Sequence, residues 1–159
     1  MSAPLKTKRF PAEPYFPVLR TLVETYFAFL ARDAVAIRAQ GLTASQFDVV
    51  ATLGNTPGMA CRELSERTLV TKGTLTGVLD RLEAKRLIER LPSATDRRSI
   101  HVRLTKKGEE LFRRAFPAVV GALRPYFARA LDETELATLR RLLLKLKQSF
   151  ERRLTKEKR

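Results

Sequence analysis

A chain of 159 residues with 44% hydrophobic content suits one compact domain with helical arms and disfavours two large independent cores. Its 31 basic against 17 acidic residues, a formal charge of +14, call for a polyanionic partner, with nucleic acid ahead of an anionic membrane surface. One cysteine (Cys61), one histidine (His101), no apolar run near the ~18 residues of a spanning helix and no secretory signal in the first residues predict a cytoplasmic protein without disulfides, metal, cofactor or membrane partner.

Residues 1–17 carry Pro4, Pro11, Pro14 and Pro17, which predicts an extended arm. Over 18–42 an apolar stripe runs through Leu19, Leu22, Val23, Tyr26, Phe27, Leu30, Ala34 and Ile37. Its steps trace one face of a helix, and Gly41 is placed to end it. Thr43 and Gln46 then fit a capping box opening a helix with Phe47, Val50, Ala51 and Leu53 on one side. Asn55-Thr56-Pro57-Gly58 is a turn by composition. A short helix fits Ala60 to Arg67 with Leu64 inward, although Ala60 at the N-cap forgoes the ~1 kcal/mol of a Ser or Thr.

Thr71 is the expected N-cap of the next helix, whose Leu75, Val78, Leu79 and Leu82 face inward. After Arg86 the period shortens. Leu87 to Leu91 reads as one strand and Ile100 to Leu104, which alternates strictly, as a second, around a polar loop from Pro92 to Arg98. Thr105 caps a long helix that Pro117 and Pro125 should kink. Asp132 and Glu135 start a last helix in which Leu136, Leu139, Leu143, Leu146, Phe150 and Leu154 recur at near-heptad steps. The charged residues 155–159 are expected to fray.

This order predicts a mainly α fold with a small β-hairpin wing. A winged helix-turn-helix module over 43–107 stands between helical regions at 18–42 and 108–154. Those flanking regions carry more apolar surface than the central module can cover, which predicts a homodimer joined through its ends. In a helix-turn-helix the second helix enters the major groove of double-stranded DNA, its N-terminal residues nearest the bases. At that end Lys72 can meet a phosphate or a guanine edge, while Thr74 and Thr76 can bond a base or set a methyl group against thymine. Gly73 and Gly77 each lower helix propensity by ~1 kcal/mol relative to Ala, a cost justified where backbone must approach another surface closely. Arg81 flanks the buried stripe of the same helix. In the loop, Arg97 and Arg98 suit a narrow A·T-rich minor groove, with Asp96 beside them to hold an arginine in register. Arg86 and Arg90 are candidates for phosphate contacts.

Three ordered stretches resemble the signature of MarR-type winged-helix regulators. They are Leu82-Glu83-Ala84-Lys85-Arg86-Leu87-Ile88-Glu89-Arg90, Asp96-Arg97-Arg98-Ser99 and Val102-Arg103-Leu104-Thr105-Lys106-Lys107-Gly108, and Val70-Thr71-Lys72-Gly73-Thr74-Leu75-Thr76 extends the likeness. The resemblance implies a triangular dimer reading a pseudo-palindrome. Its recognition positions would be Thr71, Lys72, Gly73, Thr74, Thr76 and Gly77, with Arg98 a minor-groove arginine held by Asp96. Arg86 departs from the family, which commonly has glycine there. Ala60 also departs from it, lacking a capping hydroxyl.

The resemblance further implies release of DNA by a small aromatic or phenolic effector, drawing here on Tyr26, Phe27, Phe47, Phe112 and Phe116, with Arg20 or Arg32 for a carboxylate. Those aromatics sit at helical spacing, which favours plain core packing over a ligand site. Cys61 invites a redox reading but has no second cysteine to resolve it, and His101 reads as a surface residue. The function expected is sequence-specific transcriptional regulation, as a repressor. The competing reading is a non-specific or architectural nucleic-acid binder. An enzyme is disfavoured, because the sequence has no Gly-rich phosphate loop, no metal cluster and no paired nucleophile and base.

Overall fold

The computed structural model describes residues 13–92 and 99–157, with side chains as far as Arg152. In chain order it contains α1 (Phe16–Arg38), α2 (Ala44–Leu53), β1 (Met59–Ala60), α3 (Cys61–Arg67), α4 (Lys72–Ala84), β2 (Ile88–Pro92), β3 (Ile100–Leu104), α5 (Lys106–Ala128) and α6 (Glu133–Glu157). The fold is mostly helical with one small antiparallel sheet.

Local chemistry explains most boundaries. Pro17 sits in the first turn of α1, where its missing amide costs nothing and its fixed φ suits a helix. The extended arm expected over 1–17 is therefore corrected at its end, where helix begins at Phe16; residues 1–12 lie outside the described part. Thr43 and Gln46 form the expected capping box, the Gln46 amide donating to Thr43 Oγ1 (3.3 Å) and the Thr43 amide to Gln46 Oε1 (3.2 Å). Asp132 and Glu135 repeat the arrangement before α6, at 2.9 and 2.8 Å. That last helix extends to Glu157, past the point at which fraying was expected. The helix α5 runs from Lys106 to Ala128 as one element that includes Pro117 and Pro125.

The sheet is larger than the expected hairpin. The strands β2 and β3 pair from Ile88 opposite Leu104 to Pro92 opposite Ile100, and β1 adds a third strand on the other side of β3, in the order β1-β3-β2. Two residues of β1 show no alternation long enough to register as a strand in sequence. Ile100, expected to face inward with Val102 and Leu104, is exposed at the strand end, while those two are buried.

The chain divides into two compact units, Met1–Phe116 and Pro117–Arg159. In the first, Val49, Val50, Leu53, Leu64, Leu79 and Leu82 from three helices pack with Ile88 and Val102 of the sheet into a core, each at most 2% exposed. Burial of such side chains is worth ~1.5–3 kcal/mol apiece and holds the short elements together. Gly54 belongs to this packing: a Cβ there would fall 2.2 Å from the Phe112 ring. The second unit comprises the end of α5 and α6, where Leu139, Leu142, Leu143, Leu146 and Phe150 are exposed.

Candidate nucleic-acid interface

The helix α4 presents two contrasting faces. Leu75, Val78, Leu79 and Leu82 are buried, whereas Thr71, Lys72, Gly73, Thr74, Thr76 and Arg81 are exposed and Gly77 is half-buried. Thr71 occupies the N-cap with extended backbone but makes no capping bond, contrary to expectation. Its hydroxyl lies 2.9 Å from that of Thr74, so the two threonines hold one another at the helix tip. The first backbone amides of α4 are left without a side-chain cap. Such amides and the positive end of the helix dipole favour an incoming anion. A Cβ at Gly73 would meet nothing within 4 Å, so the helix front there is bare backbone open to an approaching surface. At Gly77 the nearest neighbour is the Arg81 guanidinium, 3.7 Å from a built Cβ.

The turn before α4 is fixed from two sides. The Thr68 hydroxyl donates to the Leu64 carbonyl (2.9 Å), and the Leu69 amide donates to Asp48 Oδ2 on α2 (2.7 Å). The Val70 amide also bonds the Asp48 carboxylate. Burial raises the Asp48 pKa above its ordinary value, and the two amides partly offset that rise by stabilising the charged form. Sequence reasoning missed both Asp48 and Leu69. The available signal was an apolar residue, Leu69, standing off the inward stripe between two helices.

At the other end of α4, Arg86 adopts φ 57°, the left-handed conformation that glycine takes at least cost. The departure from the family glycine thus leaves the turn intact at some strain, and the side chain is exposed. The turn is tied down by Thr105, whose hydroxyl donates to the Arg86 carbonyl (2.7 Å) and accepts from the Gly108 amide (3.1 Å), and by Lys107, whose Nζ donates to the Lys85 carbonyl (3.0 Å). Arg90 was expected to meet a phosphate. Its guanidinium instead pairs with Asp80 and lies 3.4 Å from Glu83, and only 22% of its side chain is exposed. It is a strut between α4 and β2. Across the wing, Glu89 and Arg103 face each other in register and pair at 2.6 Å. Asp96, Arg97 and Arg98 lie outside the described residues.

Residues 40–99 match the model of the MarR family. The homoprotocatechuate degradative operon repressor of Escherichia coli is 33% identical over 88 residues, 55% of this chain and 60% of that protein's own length. The multiple antibiotic resistance protein MarR of Escherichia coli is 34% identical over 105 residues, 66% of this chain and 73% of that protein. The chain belongs to the MarR family. Among solved structures, the Bordetella bronchiseptica regulator BpsR, whose DNA binding is regulated by 6-hydroxynicotinic acid, superposes with a TM-score of 0.76 at 26% identity, over 87% of this chain and 98% of that one. FabT of Streptococcus pneumoniae, solved in complex with DNA, superposes with a TM-score of 0.66 at 29% identity, over 86% of this chain and 97% of that one.

Within this MarR-family fold the five aromatics separate into two groups. Phe47 and Phe116 stack at 6.4 Å and Phe112 meets Phe116 at 5.3 Å, a cluster that packs against itself. Tyr26 and Phe27 contact each other at 6.0 Å on α1 and are exposed. Arg20, considered for a ligand carboxylate, is paired with Glu24 at 2.8 Å. Cys61 is the half-buried first residue of α3. His101, expected on the surface, is half-buried on the central strand with Nε2 3.3 Å from the Pro57 carbonyl. Among the described residues no group of three or more His, Cys, Asp or Glu is arranged to hold a metal ion, and no helix is long and apolar enough to cross a membrane.

Proposed function

We propose that this MarR-family protein is a sequence-specific, DNA-binding transcriptional repressor that acts in the cytoplasm as a homodimer on a pseudo-palindromic operator. The observation that carries this reading is the front of α4, where exposed Thr71, Lys72, Thr74 and Thr76 flank open backbone at Gly73. Hydroxyls and a lysine around bare backbone can reach base edges and phosphates without first breaking intramolecular bonds to a core. Arg81 and Arg86 extend the contact toward the sugar-phosphate backbone, while Arg97 and Arg98, with Asp96, enter the adjacent minor groove. The repressor named among the relatives and the DNA-bound structural neighbour support the reading. The exposed leucines of α6 and aromatics of α1 supply the surfaces for a second copy. A small aromatic or phenolic compound is the effector class, by analogy with BpsR. Of the five aromatics, Tyr26, Phe27 and Phe116 are exposed and are the accessible candidates to touch it, whereas Phe112 is buried.

An anisotropy titration of a duplex from the gene's own upstream region, with random duplex as competitor, tests this reading. At physiological salt a specific reader discriminates by at least ~10³, and its affinity falls with a log–log salt slope of about −0.9 per phosphate contacted. Arg98→Ala should weaken that binding about tenfold, the scale of one lost base-groove contact, and leave the dimer intact. A ratio near one would favour the architectural alternative, in which the charge of +14 supplies all the binding.

A further inference from the structure

Leu69 is 93% exposed, more than any other large hydrophobic side chain among the described residues. An exposed leucine on a solvated loop would mean little, but this one is held. Its neighbours Thr68 and Val70 are both buried, its own amide is bonded to Asp48, and Thr68 is bonded back to α3. Those bonds fix the turn so that Val70 points inward and Leu69 outward, two residues ahead of the α4 N-cap. The apolar residues nearest to it in sequence, Leu64, Val70 and Leu75, are all buried.

When a helix-turn-helix docks, the N-terminal residues of the second helix contact base edges in the major groove, and the turn leads directly into that end of the helix. A leucine there has no hydrogen bond to offer a phosphate or a polar base edge. The apolar feature that a base pair displays in the major groove is the C5-methyl group of thymine. Resting on the DNA-reading function proposed above, we infer that Leu69 is a specificity-determining residue that packs against a thymine methyl in each half-site, with Asp48 as the positioning residue that holds its backbone.

The test begins with selection of duplexes from a random library by the full-length wild type and by Leu69→Ser, an exposed change that leaves the core untouched. Affinities are then measured for the selected duplex and for versions in which each thymine is replaced by uracil, which removes only the methyl. Wild type should lose about fourfold per half-site at one thymine position, the worth of burying one such group. At that position Leu69→Ser should bind the thymine and uracil duplexes equally. Asp48→Ala should shrink the thymine-to-uracil ratio although Leu69 is present, and Asp48→Asn, which keeps an acceptor, should restore it. A wild type indifferent to uracil at every thymine, a selected site without thymine, or a Leu69→Ser variant as uracil-sensitive as wild type would overturn the inference. An unchanged ratio in Asp48→Ala would remove the positioning role. If wild type selects no site, the DNA-reading function itself falls, a result distinct from a selected site that ignores the methyl.

Discussion

The winged-helix module and the terminal helices use the same kind of sequence to opposite ends. In the module, leucines and valines at helical and strand spacing are buried within the chain, as at Leu64, Leu79 and Val102. In α6, residues of equal regularity, Leu139, Leu143, Leu146 and Phe150, stand exposed, as do Leu19, Leu22, Val23 and Tyr26 on α1. Periodicity thus reports that an apolar face exists and leaves open which chain covers it. Many exposed large side chains at regular spacing form the kind of surface that marks an interaction site rather than ordinary solvent contact.

Charge placed on α6 should separate the two cases most sharply. Leu143→Asp combined with Leu146→Asp should convert a dimer to a monomer in sedimentation velocity and lower duplex affinity at least 100-fold, because each half-site would then bind alone. A dimer that survives both changes would mean that the face belongs to something else. Leu79→Ala, in the module, should cost about 3 kcal/mol in chemical denaturation, the usual range for a buried leucine, and leave the unfolded chain no better at associating. Arg86→Gly should raise stability by about 0.5–1 kcal/mol, since it removes a left-handed side-chain penalty of ~1–2 kcal/mol and adds back part of it as unfolded-state freedom.

The smallest effect is expected at Asp48. Its folded pKa is raised, so the folded state holds that proton to higher pH than the unfolded chain does. Stability from this group is present below the ordinary carboxylate value and is lost as pH rises through the folded pKa. Asp48→Asn should remove that slope from a pH series of unfolding midpoints. An unchanged slope would assign it to another carboxylate, for which Asp33, also raised by burial, is the next candidate.

Much of the fold was legible because the signals were local. The capping pairs Thr43/Gln46 and Asp132/Glu135, the inward stripe of α4 and the alternating β3 are each specified within a few residues. What escaped depended on distant partners. The two residues of β1 become a strand only because Val102 and His101 lie opposite. Arg90 reads as a free cation until Asp80 and Glu83 are brought beside it, and the Thr71 hydroxyl is diverted from its cap by Thr74 one turn on. The Asp48 bond to the Leu69 amide spans 21 residues of sequence, and no composition rule points to it.

A hydroxyl-radical footprint of the protein on its selected duplex probes the proposed dimeric reader at its root. Two protected patches on one face of the DNA, centred about one helical turn (~34 Å) apart and related by an inverted repeat, are the predicted result. A single patch, or uniform protection along the duplex, would contradict it.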